Sequence, residues 1–205
     1  MLRMGVLVSG GGTNLQAILD KLKAGQIRNC EIAVVVSSKA GVKALERATL
    51  AGIPTAVVSK SEFESDFDQA LRNTLDAFQV DFIVLAGFMS ILSVAFIKHY
   101  PNKIINVHPA LIPSFCGKGY YGLKPHEAAL AYGVKVTGAT VHFVTEGADE
   151  GPIILQKPVP VLEGDTPETL QLRVMQEAEW EILPQAIDLF CAGKLQVEGR
   201  VVHLL

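Results

Sequence analysis

The chain has 205 residues, of which 18 are Lys or Arg and 21 are Asp or Glu, so its formal net charge is -3. Apolar residues make up 49% and charged residues 19%, a globular composition that excludes intrinsic disorder. This charge balance offers no basic surface for nucleic acid and no polybasic patch for an anionic membrane, so we expect neither partner.

The first half of the chain alternates short apolar runs with segments of helical periodicity. The runs, predicted as strands, lie at residues 6–8, 32–36, 56–58, 82–85 and 104–105. The apolar residues of one predicted helix face are Leu15, Ile18, Leu19 and Leu22, and those of another are Phe67, Leu71, Leu75 and Phe78. Most runs are apolar at every position, as strands covered on both sides must be. The pattern therefore predicts an α/β fold: an open, mostly parallel twisted sheet with helices on both faces.

The second half starts with a long loop rich in Pro, Gly and aromatic residues, at 107–124. The predicted elements after it are a short helix at 125–132, strands at 136–144 and 153–161, a long helix, and a weak hairpin within 197–205. The long helix is expected to begin after Thr166, a good N-cap followed by Pro167, and to end at Gly193. We see no repeat and no linker, which predicts a single domain over 1–205.

A glycine-rich turn, Ser9-Gly10-Gly11-Gly12-Thr13-Asn14, joins the first strand to the first helix. Backbone N–H groups at a helix start attract anions, and glycines let a phosphate approach them. The turn is not a Walker A loop, since no Gly-Lys-Ser/Thr follows. It also fails the dinucleotide fingerprint, because Leu15 occupies the third glycine position and no acidic residue ends the second strand. A small monophosphate is the favoured ligand; a tight turn capped by Thr13 or Asn14 is the alternative.

Asn106 and His108 follow the apolar run at 104–105, and strand alternation points both side chains the same way. The carboxyl end of a strand in an open α/β sheet is where ligand chemistry gathers. An amide and an imidazole can both donate to a developing oxyanion, and an imidazole can also move protons near neutral pH. The alternative is a hydrogen-bonded structural histidine.

Asp149 lies in a turn between Gly147 and Gly151. Close to His108, its carboxylate would favour the imidazolium and help to relay a proton; a solvated turn aspartate is the alternative. Among the other histidines, His126 is expected only to decorate the short helix, whereas His142 is placed to line the same cleft. None has metal-ligand spacing such as HExxH, so we predict no metal.

The three cysteines, Cys30, Cys116 and Cys191, are far apart and form no CxxC pair. This predicts neither a disulfide framework nor a thiolate zinc site, and it favours a reducing compartment. No apolar run reaches the roughly 18 residues that a membrane span needs, and residues 1–8 lack the features of a signal peptide. We expect a cytoplasmic protein.

Several motifs together resemble the folate-dependent formyltransferase family, essentially from end to end. They are GGGTNL at 10–15, LAGFM at 85–89, NVHPALIP at 106–113, GATVHFV at 138–144 and DEGP at 149–152. No single motif is specific to this family, but the five motifs together, in this order, are. The resemblance implies a Rossmann-like formyltransferase fold. It also implies transfer of the formyl group of a cosubstrate, 10-formyltetrahydrofolate, to the amine of 5′-phosphoribosylglycinamide in purine biosynthesis.

The resemblance also implies residue roles. It makes 1–100 the phosphate-binding half and 101–205 the catalytic and folate-binding half. The catalytic residues it implies are Asn106, His108 and Asp149. The ribotide would contact Gly12, Thr13, Asn14 and Glu179. The folate would contact Met89, Ser90, Ile91, Leu92, Asn106, Thr145, Glu146, Gly147, Ala148 and Asp149. We expect small-molecule substrates as the only ligands, in a monomer or homodimer.

The chain departs from the family pattern at Ser90 and Glu64, where some members carry Arg that meets the folate. Lys118 or Lys124 is a candidate substitute, within a loop, 114–124, that is longer than in the members with the shortest loop there. Formyltransferases acting on methionyl-tRNA and hydrolases of formyltetrahydrofolate carry additional domains, so the length of this chain favours the ribotide enzyme. A non-catalytic nucleotide-binding module, which needs no catalytic trio, is the alternative from another class.

Overall fold

The computed structural model describes the whole chain, Met1–Leu205. The chain divides into two compact units, Met1–Ile105 and Asn106–Leu205. The predicted single domain over 1–205 stays a prediction.

The first unit is a parallel βα structure. Its strands are β1 (Leu2–Val8), β2 (Cys30–Ser37), β3 (Thr55–Val57) and β4 (Phe82–Leu85). Its helices are α1 (Thr13–Lys23), α2 (Lys43–Leu50), α3 (Lys60–Phe63), α4 (Phe67–Ala77) and α5 (Val94–His99), with a 3₁₀ turn at Glu64–Asp66. β1 pairs in parallel with both β2 and β4, and β3 adds in parallel to β2. Met4, Val6, Leu7 and Val8 of β1 are fully buried, and so are Leu15 and Ile18 of α1 and Leu71 and Leu75 of α4. The other predicted face residues Leu19, Leu22 and Phe78 are half-buried.

The second unit carries the remaining strands and helices. Its elements after β5 (Ile104–His108) are α6 (Lys124–Tyr132), β6 (Val136–Phe143), β7 (Ile153–Pro160), α7 (Pro167–Val174), α8 (Trp180–Cys191) and the hairpin β8 (Leu195–Glu198) and β9 (Val201–Leu204). β6 and β7 pair antiparallel, and the sheet has seven strands in the order β3-β2-β1-β4-β5-β6-β7. The predicted α/β fold with an open, mostly parallel sheet is confirmed.

The long helix predicted after Thr166 is interrupted. Thr166 does cap α7 in a capping box with Thr169, but a π-helical turn, Met175–Glu179, separates α7 from α8. α8 contains Pro184, which has no N–H to donate to the carbonyl of Trp180, four residues back. At the end of the π-helical turn, the Trp180 amide donates to the Met175 carbonyl, five residues back. No helix in the structure is long and apolar enough to cross a membrane.

Candidate active site

The glycine turn occupies the end of β1 and the start of α1 in the first unit. Gly12 is the N-cap of α1 and has a φ of 71°, in the left-handed region, and a Cβ there would lie 2.7 Å from the Cα of Ala44. Only glycine fits this position. No side chain caps α1, and its first turn contains no acidic residue. Neither Thr13 nor Asn14 is thus the predicted cap, and the helix start presents its N–H groups without a competing carboxylate.

A hydroxyl cluster ties three strand ends of the first unit together. Ser9 Oγ and Ser38 Oγ lie 2.6 Å apart, and the Met89 amide donates to Ser9 Oγ at 2.8 Å. Ser9 and Ser38 are both buried. The glycine turn, the end of β2 and the segment after β4 are therefore fixed relative to one another by buried hydrogen bonds.

The segment Met89–Leu92, predicted to contact folate, follows β4. Met89 and Ile91 are exposed, with Ile91 at 81%, whereas Leu92 is buried. Ile91 and Leu92 line a cavity of about 290 Å³ together with Glu64 and Lys60. Lys60 donates to the Ile91 carbonyl at 3.0 Å and is the cation of this cavity. Sequence reasoning named Lys118 and Lys124 as substitute cations and missed Lys60, which has no motif of its own.

In the second unit, four polar side chains lie close together in one cluster. Asn106 and His108 come from β5, His142 from β6, and Asp149 from the loop after β6. His108 Nδ1 lies 3.4 Å from Asp149 Oδ2, and His142 Nε2 lies 3.6 Å from Asp149 Oδ1. Asn106 Nδ2 lies 3.1 Å from His142 Nε2. Asn106, His108 and Asp149 are thus brought together, and His142 bridges two of them.

Two backbone carbonyls decide where the histidines of this cluster carry hydrogen. His142 Nδ1 lies 2.9 Å from the Phe143 carbonyl, and His108 Nε2 lies 2.9 Å from the Phe115 carbonyl. A carbonyl only accepts, so Nδ1 of His142 and Nε2 of His108 are protonated. In the tautomer with hydrogen on Nδ1, the lone pair of His142 lies on Nε2, which accepts from the Asn106 amide. His142 therefore fixes which end of Asn106 is the donor.

The loop that carries Asp149 is tightly constrained. Asp149 has a φ of 58°, and the Gly117 amide donates to its Oδ2 at 2.9 Å. A Cβ at Gly151 would lie 1.7 Å from the Phe143 carbonyl oxygen, so only glycine allows the chain to return this close to β6. The rest of the predicted folate loop is more open: Glu146 and Ala148 are exposed, and Thr145 and Gly147 are half-buried.

Burial and the neighbouring polar groups have largely opposing effects on the pKa values of His108 and Asp149. Burial lowers the pKa of His108, and the proximity of His142 lowers it further; the Asp149 carboxylate and the Phe115 carbonyl oppose this but do not outweigh it. Burial alone would raise the pKa of Asp149, but His142, His108 and the Gly117 amide together bring it below its usual value. The lowered pKa of His108 favours a neutral imidazole beside an ionised Asp149 carboxylate at neutral pH, because the effect of burial on the ring exceeds the effect of the carboxylate. That Asp149 holds His108 charged stays a prediction.

A buried threonine holds the chain that follows β5. Thr140 Oγ1 donates to the Ala110 carbonyl at 2.7 Å and accepts from the Ile112 amide at 3.1 Å. Gln156 adds a bond to the Ile112 carbonyl at 3.0 Å. These contacts attach the start of the 107–124 loop to β6 and β7, so the end of β5 that carries His108 is rigidly placed.

Two further ionisable side chains are buried. Glu179, which the resemblance places at the ribotide, lies in the π-helical turn and is only 6% exposed. His126, expected to decorate α6, is fully buried, and neither ring nitrogen has a hydrogen-bond partner. Burial, with His108 nearby, lowers the pKa of His126 to about 4. No group of three or more His, Cys, Asp or Glu side chains is placed to hold a metal ion.

Comparison with known proteins gives one consistent result. Residues 2–187 match the formyl transferase family. The chain is 43% identical over 201 residues to the phosphoribosylglycinamide formyltransferase of Escherichia coli, covering 97% of this chain and 92% of that protein. It is 47% identical over 197 residues to the chicken (Gallus gallus) trifunctional purine biosynthetic protein adenosine-3, covering 95% of this chain but only 19% of that much longer protein. The crystal structure of glycinamide ribonucleotide transformylase 1 from Symbiobacterium toebii superposes with a TM-score of 0.93 at 48% identity, covering 100% of this chain and 94% of that one.

Proposed function

This chain belongs to the formyl transferase family and is an enzyme, and we propose that it transfers the formyl group of 10-formyltetrahydrofolate to the amine of 5′-phosphoribosylglycinamide. The observation that carries the proposal is the connected cluster of Asn106, His108, His142 and Asp149. A non-catalytic binding module would have no use for a cluster in which backbone carbonyls fix the donor nitrogens.

The chemistry assigned to the cluster is stabilisation of an oxyanion. The amine nitrogen attacks the formyl carbon, and the carbonyl oxygen becomes negative as the new C–N bond forms. Asn106 Nδ2 and His108 Nε2 are the donors we assign to that oxygen. Both nitrogens carry hydrogen in the neutral cluster, so their ability to donate does not depend on His108 being charged.

Proton movement is assigned to the other side of the imidazole. His108 Nδ1 faces Asp149, the ionised carboxylate of the cluster. Negative charge on the reacting oxygen raises the proton affinity of His108, and Nδ1 is the nitrogen free to take a proton. We assign to His108 and Asp149 the transfer of that proton, through water, from the attacking nitrogen to the folate N10. The bond from the formyl carbon to N10 breaks as N10 is protonated, which returns the cluster to its initial charge.

Binding roles complete the proposal. The first turn of α1, with Gly12, Thr13 and Asn14, takes the ribotide phosphate, and Glu179 contacts the ribotide. Met89–Leu92 and Thr145–Asp149 contact the folate. The glycine turn supports the first of these roles because Gly12 leaves the helix start uncapped, and the exposed apolar Met89 and Ile91 support the second because a flat pteridine stacks on such surfaces. We also propose small molecules as the only substrates.

The experiment is a turnover assay with the purified chain, the ribotide and 10-formyltetrahydrofolate, following release of tetrahydrofolate. We expect turnover that requires the ribotide. His108→Ala should lower kcat by about 10²- to 10³-fold while leaving ribotide affinity nearly unchanged, because the donor acts mainly in the transition state. His203→Ala is the matched control, since His203 is exposed on β9. Absence of turnover, or formyl release that is equally fast without ribotide, would remove this function.

A further inference from the structure

Helix α2 holds the glycine turn from one side through three contacts. The Ala44 amide donates to the Gly10 carbonyl at 3.1 Å, and Arg47 Nε donates to the Gly11 carbonyl at 3.0 Å. The third contact is the close approach of Gly12 to Ala44 described above. Both carbonyls of the turn are therefore directed towards α2.

The direction of these carbonyls fixes the direction of the amides. In a planar trans peptide the C=O and the following N–H point in opposite directions. With the Gly10 and Gly11 carbonyls held on α2, the Gly11 and Gly12 N–H groups are directed away from it. A Cβ at Gly10 or Gly11 would meet nothing within 4 Å, so the other side of the turn is open. Successive amides directed into open space are a known anion-binding arrangement.

Arg47 also links the turn to the helix that follows it. Its Nη1 donates to Gln16 Oε1, on α1, at 2.7 Å. The Arg47 guanidinium thus donates from two nitrogens, one to a turn carbonyl and one to an α1 side chain. Lysine lacks this planar arrangement of several donors. Its positive charge lies beside a helix start that has no acidic residue in its first turn.

We propose that Arg47 is a positioning residue of the ribotide phosphate site: it orients the amides of the glycine turn and adds a positive charge behind them. This inference rests on the proposed function, which assigns the ribotide phosphate to the start of α1. Arg47 acts through the turn, so its loss should weaken phosphate recognition and leave the formyl-transfer step unaffected.

The test compares two ligands, the ribotide and its dephosphorylated riboside, by calorimetry on wild type, Arg47→Met, Arg47→Lys and Arg72→Met. Methionine keeps an unbranched apolar side chain beside Gly12 but removes the charge. Lysine keeps the positive charge but cannot donate from two nitrogens in the geometry of a guanidinium. Arg72→Met is the matched control, because Arg72 bonds Gln69 on its own helix. The ratio of the two affinities reports the contribution of the phosphate.

We expect Arg47→Met to lower ribotide affinity about ten- to a hundredfold with little change for the riboside, and Arg47→Lys to lose less. kcat at saturating ribotide should stay near the wild-type value. An unchanged affinity ratio in Arg47→Met, or equal losses for both ligands, would overturn the role of Arg47 while leaving the proposed function intact. A wild-type protein that does not distinguish ribotide from riboside would overturn the phosphate site and Arg47 together.

Discussion

Acid destabilisation through His126 follows directly from its burial. The ring lies on α6 with no exposed surface and no hydrogen-bond partner, so charging it inside the protein costs solvation that nothing replaces. Its pKa is lowered from 6.5 to about 4, first by burial and then by His108. Well above pH 6.5 the ring is neutral in the folded and the unfolded chain alike, and it contributes no pH dependence.

The sign and size of the effect follow from these two values. Between pH 6.5 and about 4, His126 is protonated in the unfolded chain but not in the folded chain, so the free energy of unfolding falls as the pH falls. Each pH unit in this window is worth about 1.4 kcal/mol at most, which gives about 3 kcal/mol across it. Such a loss is a large fraction of the stability of a typical domain.

Urea unfolding, followed by circular dichroism from about pH 7.5 to about pH 4.5, measures the effect. His108 has a lowered pKa and titrates in the same direction, so the informative quantity is the difference between wild type and His126→Leu. We expect the variant to lose part of the acid dependence of stability, with the two curves converging or crossing as the pH falls. His203→Leu, at an exposed position, should keep the wild-type slope. Parallel curves for wild type and His126→Leu would show that His126 does not contribute to the acid dependence of stability.

Two further substitutions test the fold's support of the site. His142→Phe keeps a ring but removes the acceptor for the Asn106 amide, so kcat should fall about tenfold or more with little change in ribotide affinity. His142→Gln should recover part of the lost kcat. Equal kcat for wild type and His142→Phe in the turnover assay would exclude the positioning role of His142. Gly12→Ala should lower the free energy of unfolding by about 1–3 kcal/mol, because it adds both a left-handed conformation and a clash with Ala44. Gly25→Ala, at a φ of 68° with open space around it, carries only the conformational cost, so thermal melts showing equal losses would contradict the clash.

The fold could be predicted from the sequence where burial is uniform. Parallel strands covered on both faces are apolar at every position, and β1, β2 and β4 accordingly lie within a few residues of their predicted positions. Helix α5 was missed because six residues are too few to display a period of 3.6. The π-helical turn before Trp180 was missed because widening one turn leaves the apolar spacing of α7 and α8 nearly unchanged.

The site could be predicted only in part. Strand alternation and the position at a strand end identified Asn106 and His108. The flanking glycines made Asp149 a candidate but left a solvated turn aspartate as the alternative, and the family resemblance supplied its role. The resemblance did not indicate that His142 would lie between Asn106 and Asp149. Its contact with Asn106 depends on a tautomer set by the Phe143 backbone carbonyl, and every residue has such a carbonyl, so the sequence does not indicate it. The burial of His126 was hidden for a similar reason: α6 is short, and its amphipathic pattern is weak.

The Phe115 carbonyl constrains how catalysis can proceed at His108. It accepts the Nε2 hydrogen at 2.9 Å, the hydrogen that the proposed mechanism directs at the formyl oxygen. Phe115 has a φ of 48°, a left-handed conformation that costs about 1–3 kcal/mol for a non-glycine residue and persists only under external constraint. A substrate oxygen that becomes negative is a stronger acceptor than a neutral carbonyl, so the bond to Phe115 is the weaker competitor once the amine attacks. In the proposed mechanism, the Nε2 hydrogen of His108 therefore moves its hydrogen bond from the Phe115 carbonyl to the formyl oxygen as negative charge develops there. The Gly117 amide, in the same loop, donates to Asp149.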